Sequence, residues 1–209
     1  MEGGGLKIED GGSSAGGLRL FVAISPPEDV KDQIEKAQRE LRDVLQENSV
    51  RWTKRDQFHL TLKFLGNVAA PRVAELIESL RVACSQFKAL PLHAERIGFF
   101  PNMRYPRVVW AWVHDGGEFL PKLQQAIESS VKNFTVEEPE GEFTGHVTLG
   151  RVQRIKRPQA EILAKKALEM VNRSFGEWTA NNIELIRSEL LPGGSRYTTL
   201  AEIPFLEKS

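Results

Sequence analysis

The sequence has little of what a secreted, membrane-spanning or strongly charged protein needs. It contains one cysteine, Cys84, so no disulfide can form within the chain and no oxidising compartment is indicated. It lacks any apolar run near the roughly 18 residues that a membrane-spanning helix requires. Lysine plus arginine and aspartate plus glutamate number 28 each, so the formal net charge is zero. A polyanion would therefore have to be bound by a local basic patch.

The N-terminal stretch lacks the basic and apolar regions of a secretory signal peptide. Glycine and serine dominate it, so we expect a flexible tail over residues 1–17 and a folded domain over residues 18–209. We also expect a cytoplasmic protein that does not contact membranes, and a monomer.

Short apolar runs typical of strands alternate with segments of helical periodicity. Apolar residues recur at helical spacing from Val30 to Val44 and from Val73 to Cys84, which places Cys84 in the core. The predicted strands cover residues 18–24, 58–66, 93–100, 107–113, 145–152, 183–190 and 196–203. The second half of the chain therefore repeats the element order of the first half.

Matching residues at nearly constant spacing support an internal duplication. The spacing is 87 residues for the first pair and 89 for the other two: His59 and His146, Glu95 and Glu184, Arg107 and Arg196. Two copies are too few for a solenoid. We therefore predict an α+β fold with two pseudo-symmetric lobes, each an antiparallel sheet with helices packed on its outer face. The active-site cleft is expected between the lobes.

Two of the four histidines lie in the same setting, His-Leu-Thr-Leu from His59 and His-Val-Thr-Leu from His146. Side chains alternate across a strand, so the histidine and the threonine of each motif share one face. If the apolar residues anchor each strand on a core, His59, Thr61, His146 and Thr148 converge in the cleft. Two imidazoles can supply one neutral base and one charged acid, and threonine hydroxyls can donate to phosphate oxygens. This set suits the cleavage of a phosphodiester.

A metal centre is not indicated by the same residues. Each motif offers one good ligand, and no cysteine or histidine cluster lies nearby in the sequence, so we expect no metal. His93 and His114 lack the motif, and we expect structural roles for them.

The chain resembles the two-histidine phosphoesterase superfamily, and within it the RNA 2′,3′-cyclic phosphodiesterases, historically called 2′-5′ RNA ligases. Both His-x-Thr-x motifs carry the resemblance, together with "RLFVAI", "FLG", "GFFPNMRYPRVVW" and "SRYTTL". It implies hydrolysis of a 2′,3′-cyclic phosphate to a 2′-phosphomonoester, with no cofactor. By this resemblance His59 would protonate the departing 3′ oxygen, His146 would activate water, and Thr61 and Thr148 would hold phosphate oxygens. An enzyme that also ran the reverse ligation would exchange the two histidine roles.

The resemblance also implies that Arg151 contacts the phosphate. Arg151 lies five residues after His146, so a straight strand would place it on the opposite face. Gly150 suggests a bulge that would restore the alignment. Lys63, which shares the alternation of His59, is the alternative cation. The first motif has Phe64 where the second has Arg151, so the two halves are not chemically equivalent.

Three basic segments, residues 51–55, 103–107 and 151–157, flank the predicted site strands and could contact the backbone of RNA. Within them we favour Arg107, and we favour Phe21 and Tyr197 among the aromatic residues that could contact a base, although Phe21 fits the core equally well. The expected partner is RNA or an oligonucleotide with a 2′,3′-cyclic phosphate end. Two alternatives stay open: a 2′-5′ phosphodiesterase or RNA-end trimming enzyme, and a non-catalytic nucleotide-binding module.

Overall fold

The computed structural model describes residues 17–137, 142–192 and 194–206. The predicted tail lies outside these residues except for Gly17, with which the first strand begins. The strands and helices, in chain order, are β1 (Gly17–Ile24), α1 (Glu28–Arg42), β2 (Val50–Trp52), β3 (Leu60–Ala69), α2 (Val73–Cys84), β4 (Leu90–Phe100), β5 (Val108–His114), α3 (Phe119–Ser130), β6 (His146–Val152), α4 (Arg157–Leu168), β7 (Ser174–Ala180), β8 (Asn182–Leu191) and β9 (Gly194–Pro204).

The strands form one antiparallel sheet in the order β7-β4-β5-β6-β3-β1-β8-β9, with β2 paired to β6. Four strands lie on each side of the contact between β6 and β3, where Leu60 is opposite Val147. The two four-stranded halves are the two predicted lobes, so the α+β prediction is confirmed. The sequence did not indicate that a single pair of central strands joins the lobes into one sheet.

Helices pack on one face of each half of the sheet. Helices α1 and α4 contact strands β7, β6 and β4, whereas α2 and α3 contact β9 and β3. The apolar stripe of α1 is fully enclosed, since Val30, Ile34, Ala37 and Leu41 are at most 1% exposed. Cys84 at the end of α2 is also buried, as predicted, and burial raises the pKa of its thiol to about 12.

The duplicated units exchange strands between the lobes. In the first unit the order is β1-α1-β3-α2-β4, and in the second it is β5-α3-β6-α4-β8. Strand β4 joins the sheet of the second unit, and β8 joins the sheet of the first. Glu95 and Glu184 therefore occupy equivalent strands, but Arg107 and Arg196 do not, because Arg107 precedes the internal strand β5 and Arg196 lies in the edge strand β9.

Among the described residues, no helix combines the length and apolar character needed to cross a membrane.

Candidate active site

The two motifs lie side by side where the lobes meet. Leu60 of the first motif pairs with Val147 of the second in antiparallel register. Extending that register by one residue in each direction places each histidine across from the threonine of the other motif. His59, Thr61, His146 and Thr148 are all half-buried, whereas the apolar residues between them are buried against the helix layer. The structure thus brings together the four residues that the sequence analysis singled out, on the sheet face opposite the helices.

His59 lies in an aromatic corner. Its ring is 6.0 Å from Phe21 and 5.6 Å from Tyr197, centroid to centroid, in edge-on contacts. Burial lowers the pKa of His59 below its ordinary value near 6.5, and the Gln57 carbonyl and the Glu184 carboxylate partly oppose this shift. The corner therefore favours a neutral imidazole in the free protein.

His146 has a corresponding pair of aromatic neighbours, Phe100 at 5.0 Å and Trp110 at 6.0 Å. Its Nδ1 lies 2.8 Å from the carbonyl oxygen of Thr144. Because a carbonyl can only accept, the neutral ring carries its proton on Nδ1 and Nε2 is the basic nitrogen. This tautomer is the one that a general base acting through Nε2 requires.

A bulge follows each motif at the same position. Along β5 and β6, Trp110 pairs with Thr148 and Val109 with Gly150, so Leu149 is an extra residue. Along β1 and β3, Ala23 pairs with Thr61 and Val22 with Lys63, so Leu62 is the extra residue. Each bulge reverses the alternation of side chains for the residues that follow it.

The bulge places Arg151 on the cleft face. Arg151 pairs with Val108, which alternates with the buried Val109 and shares its face with Trp110 beside His146. The predicted bulge near Gly150 is thus present. A side chain at Gly150 would meet Val50 and Trp52 of β2, so the glycine also allows β2 to pack closely. Phe64, the counterpart of Arg151, is 44% exposed on the cleft face and contacts Phe21.

The prediction that Lys63 is an alternative phosphate-binding cation is wrong. The bulge at Leu62 turns Lys63 into the helix layer, where its side chain is 6% exposed. There Nζ lies 2.8 Å from a carboxylate oxygen of Glu128 and donates to the carbonyl of Glu137. A buried and paired ammonium cannot contact a substrate in the cleft.

Of the two roles open to Phe21, contact with a base and a place in the core, the structure favours burial, because Phe21 is 4% exposed. It forms a small cluster with Ala23 and Ile186 on the cleft face, against which Tyr197 packs at 5.0 Å. Phe21 is therefore the floor of the site. Tyr197 is half-exposed above it, next to His59, and stays a candidate for substrate contact.

The contact of Arg107 with the substrate stays a prediction. It is exposed at the start of β5, its N–H donates to Phe100, and its carbonyl accepts from Val152. These backbone bonds hold the strand, and none of the described contacts brings its side chain to either histidine.

The sequence analysis missed Gln38, a buried residue of α1. Its Nε2 lies 2.8 Å from the carbonyl oxygens of both Thr53 and Leu149, the bulged residue before Gly150. Gln38 thus fixes the bulge that positions Arg151. A buried amide within an apolar helical stripe was the only signal of this role in the sequence.

The pairing of β4 with β5 also creates a cluster that was not predicted, His93, Glu95 and His114. Their ligand atoms lie within 4.8 Å of one another, and two imidazoles with a carboxylate are a donor set that zinc uses. However, the N–H of Gly116 donates to Nδ1 of His114 at 3.1 Å, so the neutral ring carries its proton on Nε2, which faces Glu95 at 3.5 Å. A metal on Nε2 would need the other tautomer, so the Gly116 contact opposes metal binding there, and Nε2 itself is buried and forms no hydrogen bond with a described residue.

Known proteins that resemble this chain include phosphoesterases, in agreement with the pairing of the two His-x-Thr motifs. The family described as LigT-like phosphoesterases matches residues 24–110, which include the first motif. An RNA 2′,3′-cyclic phosphodiesterase of Archaeoglobus fulgidus is 32% identical over 183 residues, covering 88% of this chain and 98% of that protein. A second enzyme of the same name, from Methanocaldococcus jannaschii, is 29% identical over 88% of this chain and 99% of its own length.

Solved structures share the fold. A protein of Thermus thermophilus superposes with a TM-score of 0.73 at 27% identity, covering 90% of this chain and 98% of that one. Escherichia coli LigT, crystallised with 3′-AMP, gives a TM-score of 0.67 at 22% identity, covering 91% and 99%. The length and identity of the Archaeoglobus match, together with the two facing His-x-Thr motifs, show that the chain belongs to the family of LigT-like phosphoesterases.

Proposed function

We propose that this protein hydrolyses the 2′,3′-cyclic phosphate at the end of an RNA to a 2′-phosphomonoester. The observation that carries the proposal is the antiparallel pairing of the two motifs, which gathers two histidines and two threonines on one exposed face. Several relatives that match most of the chain are named RNA 2′,3′-cyclic phosphodiesterases, which supports the choice of substrate.

The reaction requires one proton acceptor and one proton donor on opposite sides of the phosphorus. In the proposed mechanism Nε2 of His146 takes a proton from water, and the water oxygen attacks the phosphorus. The bond from phosphorus to the 3′ oxygen breaks, and His59 donates its proton to that oxygen. The products are a free 3′ hydroxyl and a 2′-phosphomonoester, and the two histidines have exchanged protonation states.

The remaining polar groups would stabilise negative charge on the non-bridging oxygens. Thr61 and Thr148 can donate hydroxyl hydrogen bonds from positions across from the two histidines. The guanidinium of Arg151, on the same face, can bind the phosphate through two parallel hydrogen bonds. All steps use side chains of one chain, so the proposed mechanism requires neither a partner subunit nor a metal. An RNA substrate and a buried reduced cysteine support a cytoplasmic location.

The lowered pKa of His59 bears on the assignment of roles. A general acid must be charged, yet burial favours the neutral form of His59 in the free protein. A bound phosphate anion stabilises the imidazolium and so raises the pKa of His59 when the substrate arrives. His146 keeps the role of base because its Nδ1 contact with Thr144 leaves Nε2 basic.

The proposal is tested with purified protein and a dinucleotide that ends in a 2′,3′-cyclic phosphate. We expect a 2′-phosphate product, identified by chromatography against 2′- and 3′-phosphate standards. Cleavage of the internal bond of a 2′-5′-linked dinucleotide, with the cyclic end of the first substrate left intact, would indicate a 2′-5′ phosphodiesterase instead. Binding without turnover would indicate a nucleotide-binding module and would reject the proposed activity.

A further inference from the structure

We propose that β2 and β6 form a subsite for the phosphodiester that precedes the cyclic end of the RNA, with Arg51 as its cation, next to Arg151 at the reacting phosphate. This inference rests on the proposed function and names the part of the substrate that extends beyond the reacting nucleotide. Such a subsite would make the enzyme act faster on the end of an RNA chain than on a cyclic mononucleotide.

The register of the two strands places the cations side by side. Arg51 is directly opposite Arg151, and Trp52 is opposite Gly150. A side chain at position 150 would meet Val50 and Trp52, of which Val50 is buried and Trp52 packs against the core. Arg51 alternates with these two residues, so its side chain lies on the opposite face of β2, the face that it shares with Arg151. Because Arg151 lies on the cleft face, Arg51 does as well.

Such a pair is unfavourable unless an anion binds to it. Like charges directly opposite each other on antiparallel strands destabilise a sheet. Among the described residues, neither arginine forms an ion pair, although Arg55 nearby is paired with both Glu28 and Asp32. Both side chains are exposed and therefore available to a ligand. A guanidinium without a carboxylate partner can bind a phosphodiester through two hydrogen bonds, so Arg51 is free to take a second phosphate beside the one that Arg151 holds.

The surrounding charge extends this surface. Pairing of β2 with β6 brings together two of the basic segments identified in the sequence, and neither 49–55 nor 150–157 contains an acidic residue. Three further exposed cations in these segments form no ion pair with another described residue: Lys54, Arg154 and Lys156. The structure thus concentrates positive charge at one end of the cleft in a chain whose net charge is zero.

The chemistry of the substrate gives the direction of the RNA. A 2′,3′-cyclic phosphate occupies the 3′ end, so the rest of the RNA extends from the 5′ side of the reacting nucleotide. The first additional anion available to Arg51 is therefore the 5′ phosphodiester. Trp52 packs on the core, so we assign no base stacking to this subsite, and the contact should be independent of sequence.

The test compares kcat/KM for a pentanucleotide with a 2′,3′-cyclic end and for a 2′,3′-cyclic mononucleotide, in wild type, Arg51→Ala and Arg51→Lys. We expect Arg51→Ala to lower the kcat/KM of the pentanucleotide, relative to that of the mononucleotide, about tenfold. This is the effect of losing one charge-assisted phosphate contact. Arg51→Lys should retain part of the preference. The salt dependence of pentanucleotide binding should also become shallower by roughly one phosphate contact. Arg81→Ala, an exposed change on α2, serves as the control and should leave the ratio unchanged.

A binding measurement separates this inference from the proposed activity. Fluorescence anisotropy of a labelled pentanucleotide ending in a 2′-phosphate reports on the subsite without turnover. The subsite is supported if Arg51→Ala binds the pentanucleotide more weakly than wild type and Arg81→Ala binds it equally well. This holds even if hydrolysis is absent. The subsite is overturned if Arg51→Ala changes neither the ratio of the two kcat/KM values nor the affinity for the pentanucleotide. It is also overturned if Arg51→Ala lowers kcat/KM equally for both substrates. In either case, turnover of the cyclic mononucleotide leaves the proposed function intact.

Discussion

His59 and His146 face one cleft, and each should be required for turnover. We expect His59→Ala and His146→Ala each to lower kcat at least about 10²-fold, the lower end for general acid–base catalysis. The double variant should be far less than multiplicatively worse, because the two groups act in one step. His93→Ala, on the same sheet face but outside the pair, is the matched control. A single variant of either motif histidine that folds and keeps near-normal activity would remove that residue from the mechanism.

The different surroundings of the two histidines predict an unusual pH profile. The rate falls as the acid loses its proton, and burial lowers the pKa of His59 below 6.5 in the free protein. The basic limb of kcat/KM, which reports the free enzyme, should therefore lie below pH 6.5. The corresponding limb of kcat should lie at higher pH, because bound phosphate stabilises the charged ring.

Residual rates of the two alanine variants assign the limbs. With His59 as acid, His59→Ala should lose the basic limb and His146→Ala the acidic one. Loss of the acidic limb in His59→Ala would exchange the roles while keeping the two-histidine mechanism. Retention of both limbs in both variants would show that other groups set the pH dependence.

At the scale of elements, the buried pair of Lys63 and Glu128 joins β3 to α3. Lys63→Met leaves the carboxylate without its cation in a poorly solvated position, so we expect the free energy of unfolding to fall by about 3–5 kcal/mol. Turnover by the folded protein should be nearly normal because the side chain points away from the cleft. Denaturant unfolding and kcat measured on the same sample check both expectations.

The matched control for the pair of Lys63 and Glu128 lies on α3, the helix that holds Glu128. Lys122→Met removes an exposed partner of Glu118, for which we expect a change within about 1 kcal/mol. A large loss of kcat in folded Lys63→Met with little loss of stability would return Lys63 to the active site.

The bulge that positions Arg151 depends on Gln38 of α1. Gln38→Leu removes a donor from the carbonyls of Thr53 and Leu149, and we expect a loss of about 1–3 kcal/mol in unfolding free energy. If the bulge relaxes, Arg151 moves and kcat/KM falls as well. Gln33→Leu, an exposed change on the same helix, should affect neither quantity. A stable Gln38→Leu protein with full activity would show that the bulge holds without this contact.

The same elements show which features of the site could be predicted from the sequence and which could not. Alternation and spacing predicted the motif faces correctly, because apolar residues bracket each histidine and threonine. Alternation failed at Lys63, because the bulge at Leu62 cannot be read from residue types, whereas Gly150 indicated its counterpart. Burial of Phe21 was one of two roles that the sequence left open, and the structure decides for it because the cleft face holds its own small apolar cluster. Strands β2 and β7 were missed because their short sequences mix charged or small residues with aromatic ones.

At the scale of the whole molecule, the proposed chemistry predicts activity without a divalent ion. Two acid–base histidines and a guanidinium suffice for the steps above, and the tautomer of His114 opposes metal binding at its cluster. We expect full activity in excess chelator. Abolition by chelator, followed by recovery with one added metal, would overturn the mechanism. Glu95→Gln would then test whether the cluster of His93, Glu95 and His114 is the site.

The exchange of β4 and β8 between the lobes has a consequence for synthesis on the ribosome. The half of the sheet that holds the first motif includes β8 and β9, which follow every element of the other lobe in the chain. While those two strands are still inside the exit tunnel, β1 has an unpaired edge and the first lobe is incomplete. The first half of a nascent chain therefore cannot fold into a finished lobe. The first lobe should close, and the active site should assemble, only after β9 has emerged.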